Sequence, residues 1–173
     1  MKLNIDDEIY FAKVKPDGVI PTKRIEDGGY DLYSCFDNDY IILQPHETVL
    51  IPTGIASAFT DKWVAIVKER GSSGSRGLAV RLGVVDSGYR GELMIGITNT
   101  NSYPYIIAKS GVMTEVLRDD RSLKHAKIYP YEKAIAQLLL VEVPKVKVKE
   151  VSYDVLKTFE SERGNGKLGS SGK

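Results

Sequence analysis

An all-β fold, a jelly-roll-like β-barrel, is predicted for this chain by three observations. Short apolar or alternating runs dominate the sequence, Gly, Pro and Asn or Asp punctuate them, and long helical periodicity is scarce. Runs of this length and spacing are the pattern of closed or sandwiched β-folds. An α+β arrangement is the alternative.

The strands are expected in order. "YDLYS" (30–34), "YIILQ" (40–44), "TVLIPTGIASAF" (48–59) and "WVAIVKE" (63–69) come first, with turns at "QPHE" (44–47) and "TDK" (60–62). "LAVRL" (78–82), "ELMIGITN" (92–99), "YIIAK" (105–109) and "AIAQLLLVEV" (134–143) follow. Each carries β-branched or aromatic residues between turn formers. Residues 110–131 are polar and charged, an insertion-like excursion between two core strands. "SYDVLKTF" (152–159) is the best helical stretch, and it is short. The expected division is a β domain over 1–160, including the insertion, and a flexible C-terminal arm over 161–173, where Gly and Ser leave little to bury.

Composition narrows the function classes. A chain of 173 residues with 42% hydrophobic content can bury one core. Its 24 basic and 23 acidic residues nearly cancel, so no net field points to nucleic acid or a membrane surface, and an anion must be held by local groups. The single cysteine, Cys35, forms no internal disulfide and fits a reducing compartment. Asp6, Asp7 and Glu8 stand where a signal peptide needs an apolar core, and no apolar run is long enough to span a bilayer. The expectation is a soluble cytoplasmic protein.

Three segments carry candidate chemistry. "GVVDSGYRGE" (83–92) reads as a hairpin; Asp86 and Tyr89 either serve the turn and its packing or face a substrate. "KERGSSGSRGLAV" (68–80) has Arg70 and Arg76 around three serines. It lacks the P-loop pattern and reads either as an exposed loop or as an anion cradle of hydroxyls, amides and a guanidinium. In the tail, Arg163 and the glycines after it could close over a phosphate. Only His46 and His125 are present, so a histidine triad or zinc site lacks parts. Water activated by a carboxylate near a polyphosphate is the chemistry left.

In this order the segments resemble the five motifs of the homotrimeric dUTPases, over residues from about 22 to 173. "DGGYDLYS" (27–34) resembles the first, with Asp31 at its aspartate, and "ERGSSGSRG" (69–77) the second. "GVVDSGYRGEL" (83–93) resembles the third, "KAIAQ" (133–137) the fourth, and "RGNGKLGSSG" (163–172) the fifth. The resemblance implies a trimer of jelly-roll subunits with active sites shared between them, splitting dUTP to dUMP and pyrophosphate. That reaction limits uracil incorporation into DNA and supplies dUMP for dTMP synthesis. It implies that Asp86 deprotonates the attacking water and that Tyr89 stacks on the deoxyribose. Val84, Val85 and the Met94 region would read the uracil, and Arg70, Gly71, Ser72, Ser73 and Gln137 would hold phosphates. Mg²⁺ would be bound mainly by the substrate's phosphates and waters. Arg163, Leu168, Gly169 and Ser170 would cap the ligand from a neighbouring subunit, with Asp31 in a supporting role.

The chain departs from the family pattern in several places. Gly71 replaces the first serine of the second motif, so Ser72 or Ser73 would supply that hydroxyl. Ala134 stands where an arginine is common, and Leu168 where an aromatic ring usually covers the base. The asparagine many members use beside the uracil has no counterpart near Val80 and Arg81. The insertion at 110–131 resembles extra segments of some phage-encoded enzymes, implying phage or prophage origin and a host cytoplasm. Two alternatives follow. One is a nucleotide-binding module acting on a repressor-type protein partner through 110–131. The other is dCTP deaminase, which needs a glutamate where Gly96 stands.

Overall fold

A computed structural model describes residues 8–112 and 123–164. The chain divides into two compact units, one up to Val143 and one from Pro144.

The first unit is built almost wholly of strands: β1 (Tyr10–Lys13), β2 (Tyr30–Leu32), β3 (Tyr40–Leu43), β4 (Thr48–Ala58), β5 (Trp63–Glu69) and β6 (Leu78–Val80), then β7 (Val84–Val85), β8 (Glu92–Asn99), β9 (Tyr105–Ala108), β10 (Lys127–Pro130) and β11 (Ala136–Glu142). They pair as β1-β4-β8-β6, β10-β9-β3 and β2-β11-β5-β7. Long-range antiparallel pairing such as β4 with β8 and β5 with β11 gives the jelly-roll-like barrel that the turn spacing predicts. Every strand expected from the sequence is present, most of them a residue or two shorter.

The core follows from alternation. Ile51, Ile55 and Phe59 on and after β4 meet Leu93, Ile95 and Ile97 of β8, Val67 of β5 and Leu138 of β11. Each such side chain contributes roughly 1.5–3 kcal/mol of burial free energy. Tyr129 is wholly buried, and its hydroxyl donates to the Ala134 carbonyl at 2.7 Å, so no polar atom is stranded. Burial pushes the Tyr129 hydroxyl above its ordinary pKa.

Two strands were not expected, and a third, the first arm of the expected hairpin, was not delimited. β1 has mostly exposed side chains and exists because β4 supplies its partners, from Tyr10 opposite Ala58 to Lys13 opposite Ile55. β7 is two residues long, too short to carry a pattern. β10 corrects the excursion read over 110–131: residues 127–130 pair in parallel with β9, and Leu123 packs with Ile106 and Ala108. Only one β10 residue, Tyr129, is fully buried, so the alternation that marks a strand is missing. Residues 113–122 of that segment lie outside the described residues.

One face of the β2-β11-β5-β7 sheet is apolar on its outer side. Ile66 lies opposite both Leu139 and Val84, and Val64 lies opposite Val141. Residues directly opposite in a ladder share a face. The inward partners are Ala65, Val67, Ala136 and Leu138. Val84 and Val141 are exposed in the single chain.

The second unit begins at Pro144, just after the last strand ends. Its one described helix, α2 (Tyr153–Lys157; α1 is the short turn at Gly71–Gly74), lies within the stretch expected to be helical. Ser152 caps it by accepting the Val155 N–H, and Asp154 and Lys157 pair along it at 2.7 Å. Among its described residues Val146, Val148, Tyr153 and Phe159 are exposed. No helix among the described residues is long and apolar enough to cross a membrane.

Candidate functional site

The hairpin between β7 and β8 makes the first half of the site. Tyr89 N–H closes the turn on the Asp86 carbonyl at 3.0 Å. The Asp86 side chain is exposed, and among the described residues nothing hydrogen-bonds its carboxylate. A turn aspartate that served the backbone would show such a bond. Arg90, by contrast, donates to the carbonyls of Ser87 and Tyr89 and so belongs to the turn itself.

Asp86 and Tyr89 border a cavity of about 300 Å³ with Val84, Val85 and Met94. Leu50, Leu82, Glu92 and Leu93 complete its lining, and of these Leu50 and Leu82 lie outside the hairpin segment read in the sequence. Leu50 arrives by the β4–β8 register, opposite Gly96, which no local pattern reveals. The walls are apolar with two carboxylates at the rim, suited to a flat apolar ring with a polar edge.

The hairpin is anchored at both ends of Glu92. Its carboxylate accepts the Gly54 N–H at 2.7 Å, and its carbonyl accepts the Tyr89 hydroxyl at 3.0 Å. Gly54 sits at an irregularity of β4 between Pro52 and Ala56, where the ladder loses its partner. Its φ of 68° and the close approach of Cys35 Sγ, which a Cβ there would meet at 2.7 Å, exclude other residues. The Tyr89 ring in turn lies over Gly91, where a Cβ would come within 2.4 Å of its hydroxyl.

The second half of the site lies at the other end of β5. Arg70 is fixed from two sides: its Nε pairs with Asp31 at 2.8 Å, and its Nη1 donates to the Ala134 carbonyl at 3.0 Å. Gln137, opposite Asp31 and Lys68 in the sheet, donates from Nε2 to the Glu69 carbonyl at 3.0 Å. Asp31, Arg70, Gly71, Ser72 and Gln137 line a polar cavity of about 290 Å³, together with Arg24, Asp27, Gly28 and Gly29. Asp27, Gly28 and Gly29 open the first motif read in the sequence, whereas Arg24 was not singled out.

The loop at 70–76 separates its serines. Ser73 is wholly buried, and its hydroxyl accepts the Arg70 N–H at 3.1 Å and donates to the Arg70 carbonyl at 3.2 Å, so it builds the loop. Ser72 Oγ is buried on the cavity wall without a hydrogen bond of good geometry, near enough to Tyr129 to favour that hydroxyl's ionised form. A buried hydroxyl in that condition wants a partner. Between the two candidates for the hydroxyl lost at Gly71, Ser72 is therefore the one open to a ligand.

The two cavities share no residue. Ala65 of β5 lies opposite Val85, and the strand runs on from there to Arg70. At about 3.3 Å per residue this sets Arg70 roughly 16 Å along the strand from the level of Val85. Arg163 belongs to the second unit, and Leu168, Gly169 and Ser170 lie outside the described residues.

Gly96 leaves the hairpin strand without a carboxylate at that position. A Cβ there would stand 2.9 Å from Leu82 Cγ, and Arg81 N–H bonds its carbonyl. A glutamate side chain has neither the residue nor the room.

The fold thus sets an apolar hairpin cleft and a polar arginine-serine cavity at separate places on one β-barrel domain. Comparison with known proteins goes further: residues 17–115 match the family model described as dUTPase. A deoxyuridine 5'-triphosphate nucleotidohydrolase of Mycolicibacterium gilvum is 34% identical, over 93% of this chain and 92% of the relative. One of Wolbachia pipientis is 33% identical, over 86% and 83%. The chain belongs to the dUTPase family. Among solved structures, the dUTPase of Staphylococcus bacteriophage 80alpha aligns with a TM-score of 0.73 at 21% identity, covering 96% of this chain and 99% of that one. The native EIAV dUTPase aligns with a TM-score of 0.61 at 19% identity, covering 85% and 98%. These likenesses agree with the all-β fold.

Proposed function

We propose that this protein hydrolyses dUTP to dUMP and pyrophosphate as a closed trimer, each active site joining the hairpin of one copy to the cradle of another. The observation that carries the reading is the division of the family's motif residues between two cavities that share no lining residue. The exposed apolar outer face of β5, β7 and β11 supports assembly: it runs from Val84 beside the hairpin towards Gln137 beside the cradle. Burying it between identical copies removes apolar surface from water, and a heterologous contact whose rotation closes makes a ring.

In this reading the uracil enters the cleft between Val84, Val85 and Met94, with Leu50 and Leu82 on its apolar side. Tyr89, held by Gly91 and the Glu92 carbonyl, lies against the sugar and leaves no room for a 2′-hydroxyl. Asp86, free of any competing bond, accepts the proton of a water in line with the α-phosphorus; such a base contributes roughly a hundred- to ten-thousand-fold in rate. Arg70, oriented by Asp31, and Ser72 and Gln137 receive the phosphates, and Arg163, Gly169 and Ser170 cap the ligand from a neighbouring copy, with Leu168 over the base. As the family resemblance implies, Mg²⁺ is assigned mainly to the substrate's own oxygens and waters. When bound it would neutralise the charge that grows on the leaving pyrophosphate.

Pyrophosphate release measured against every common nucleoside triphosphate tests this reading. A strong preference for dUTP over dTTP, dCTP and UTP is expected; equal turnover of all pyrimidine substrates, or ammonia from dCTP, overturns it. A role in binding a repressor-type protein would rest on residues 110–131, and the hydrolase chemistry requires no such partner.

A further inference from the structure

Two guanidinium groups line the cradle, and only one has a role so far. Arg70 is fixed by Asp31 and the Ala134 carbonyl. Arg24 stands on the turn that forms another part of the same wall. Its Nε and Nη2 donate to the two oxygens of Asp27, each at 2.9 Å, while the Asp27 N–H closes the turn on the Arg24 carbonyl at 3.1 Å. Lys23 also donates to the Asp27 carbonyl, which stiffens the turn further.

The charges explain why a second arginine matters. Asp27 and Asp31 balance Arg24 and Arg70, so the lining has no net charge to offer a triphosphate. Arg70 cannot leave Asp31 without also leaving the Ala134 carbonyl. Arg24 can move, because its side chain is 87% exposed and exposed ion pairs hold weakly. Its fork meets a carboxylate edge-on in this structure, and a phosphate presents the same two-oxygen edge with more charge.

We propose that Arg24 is a phosphate-binding residue of the cradle, exchanging Asp27 for the phosphates beyond the α-position of a nucleoside triphosphate. This rests on the hydrolase reading above. The Arg24–Asp27 pair then keeps the guanidinium aimed along the wall, and the exchange leaves Asp27 at the rim.

Calorimetric titration of the whole protein tests it, with Mg²⁺ and a nonhydrolysable dUTP analogue in one arm and dUMP in the other. R24A should weaken the analogue by about fivefold or more, the loss of one charge-assisted contact, and change dUMP by less than about twofold. R24K should recover part of the loss, because a point charge replaces the fork. D27N, which releases the guanidinium, should bind the analogue at least as tightly as the unaltered protein. Unchanged affinity of R24A for the analogue overturns the proposal, and so does an equal weakening of dUMP and analogue. Failure of the unaltered protein to bind either ligand would instead refute the hydrolase reading.

Discussion

Glu92→Ala should loosen the hairpin without touching Asp86 or Tyr89 directly. The carboxylate accepts the Gly54 N–H at 2.7 Å where the β4 ladder is interrupted, while the Gly54 carbonyl is already taken by Val14 and Lys15. Deleting the acceptor leaves that N–H without its bond. Hydrogen bonds to charged groups contribute about 1.5–3 kcal/mol, and the half-buried setting argues for the lower part of that range. At about 2–4 °C per kcal/mol for a chain of this size, the melting temperature should fall by roughly 3–8 °C. Glu92→Gln keeps a neutral acceptor and should cost about 0.5–1.5 kcal/mol less than full removal. The same tether sets the strand whose carbonyl accepts the Tyr89 hydroxyl, so the sugar wall should also slacken. Steady-state kinetics on dUTP and UTP, beside thermal unfolding, read both effects: KM for dUTP rises and the preference over UTP narrows in Glu92→Ala, with Glu92→Gln between. An unshifted melting temperature together with an unchanged dUTP-to-UTP ratio would refute the tether.

Asp86→Asn should lower turnover by roughly a hundred- to ten-thousand-fold while leaving thermal stability within about 0.5 kcal/mol, since the exposed carboxylate bonds to nothing described; near-normal turnover would return Asp86 to an ordinary turn residue. Ending the chain after Glu162 should cut turnover severely and barely move the melting temperature. Intact catalysis in that variant would show that the fifth motif has no function here.

The strands that alternate or run apolar for several residues were legible because burial on one face writes itself into the local pattern. β4, β5, β8 and β11 are of this kind. β1 and β10 were not: "YFAK" is mostly exposed, "KIYP" buries only Tyr129, and both exist through partners distant in sequence. The excursion read over 110–131 absorbed β10 for that reason. The site behaves likewise. Asp86, Tyr89 and the Arg70 loop are short contiguous motifs and could be read directly. The tie of Arg70 to Asp31, the burial of the Ser73 hydroxyl under the loop, and the reach of Glu92 to Gly54 depend on register, which a linear pattern does not carry. Arg24 was hidden because an arginine three residues from an aspartate reads as an exposed pair, and it becomes a cradle residue only once the turn is set beside β2.

The most direct test of the divided site is complementation between two damaged chains. Asp86→Asn spoils every hairpin and Arg70→Ala every cradle, so each homotrimer should be nearly inactive alone. Unfolded together, mixed in equal amounts and refolded, they should form trimers in which an intact hairpin meets an intact cradle at about one site in four, for random closed threefold assembly. The account predicts recovery of dUTP hydrolysis towards about a quarter of the unaltered rate. Activity of the mixture no greater than the sum of the two variants refolded separately would contradict it, because hairpin and cradle would then serve the ligand from one and the same chain.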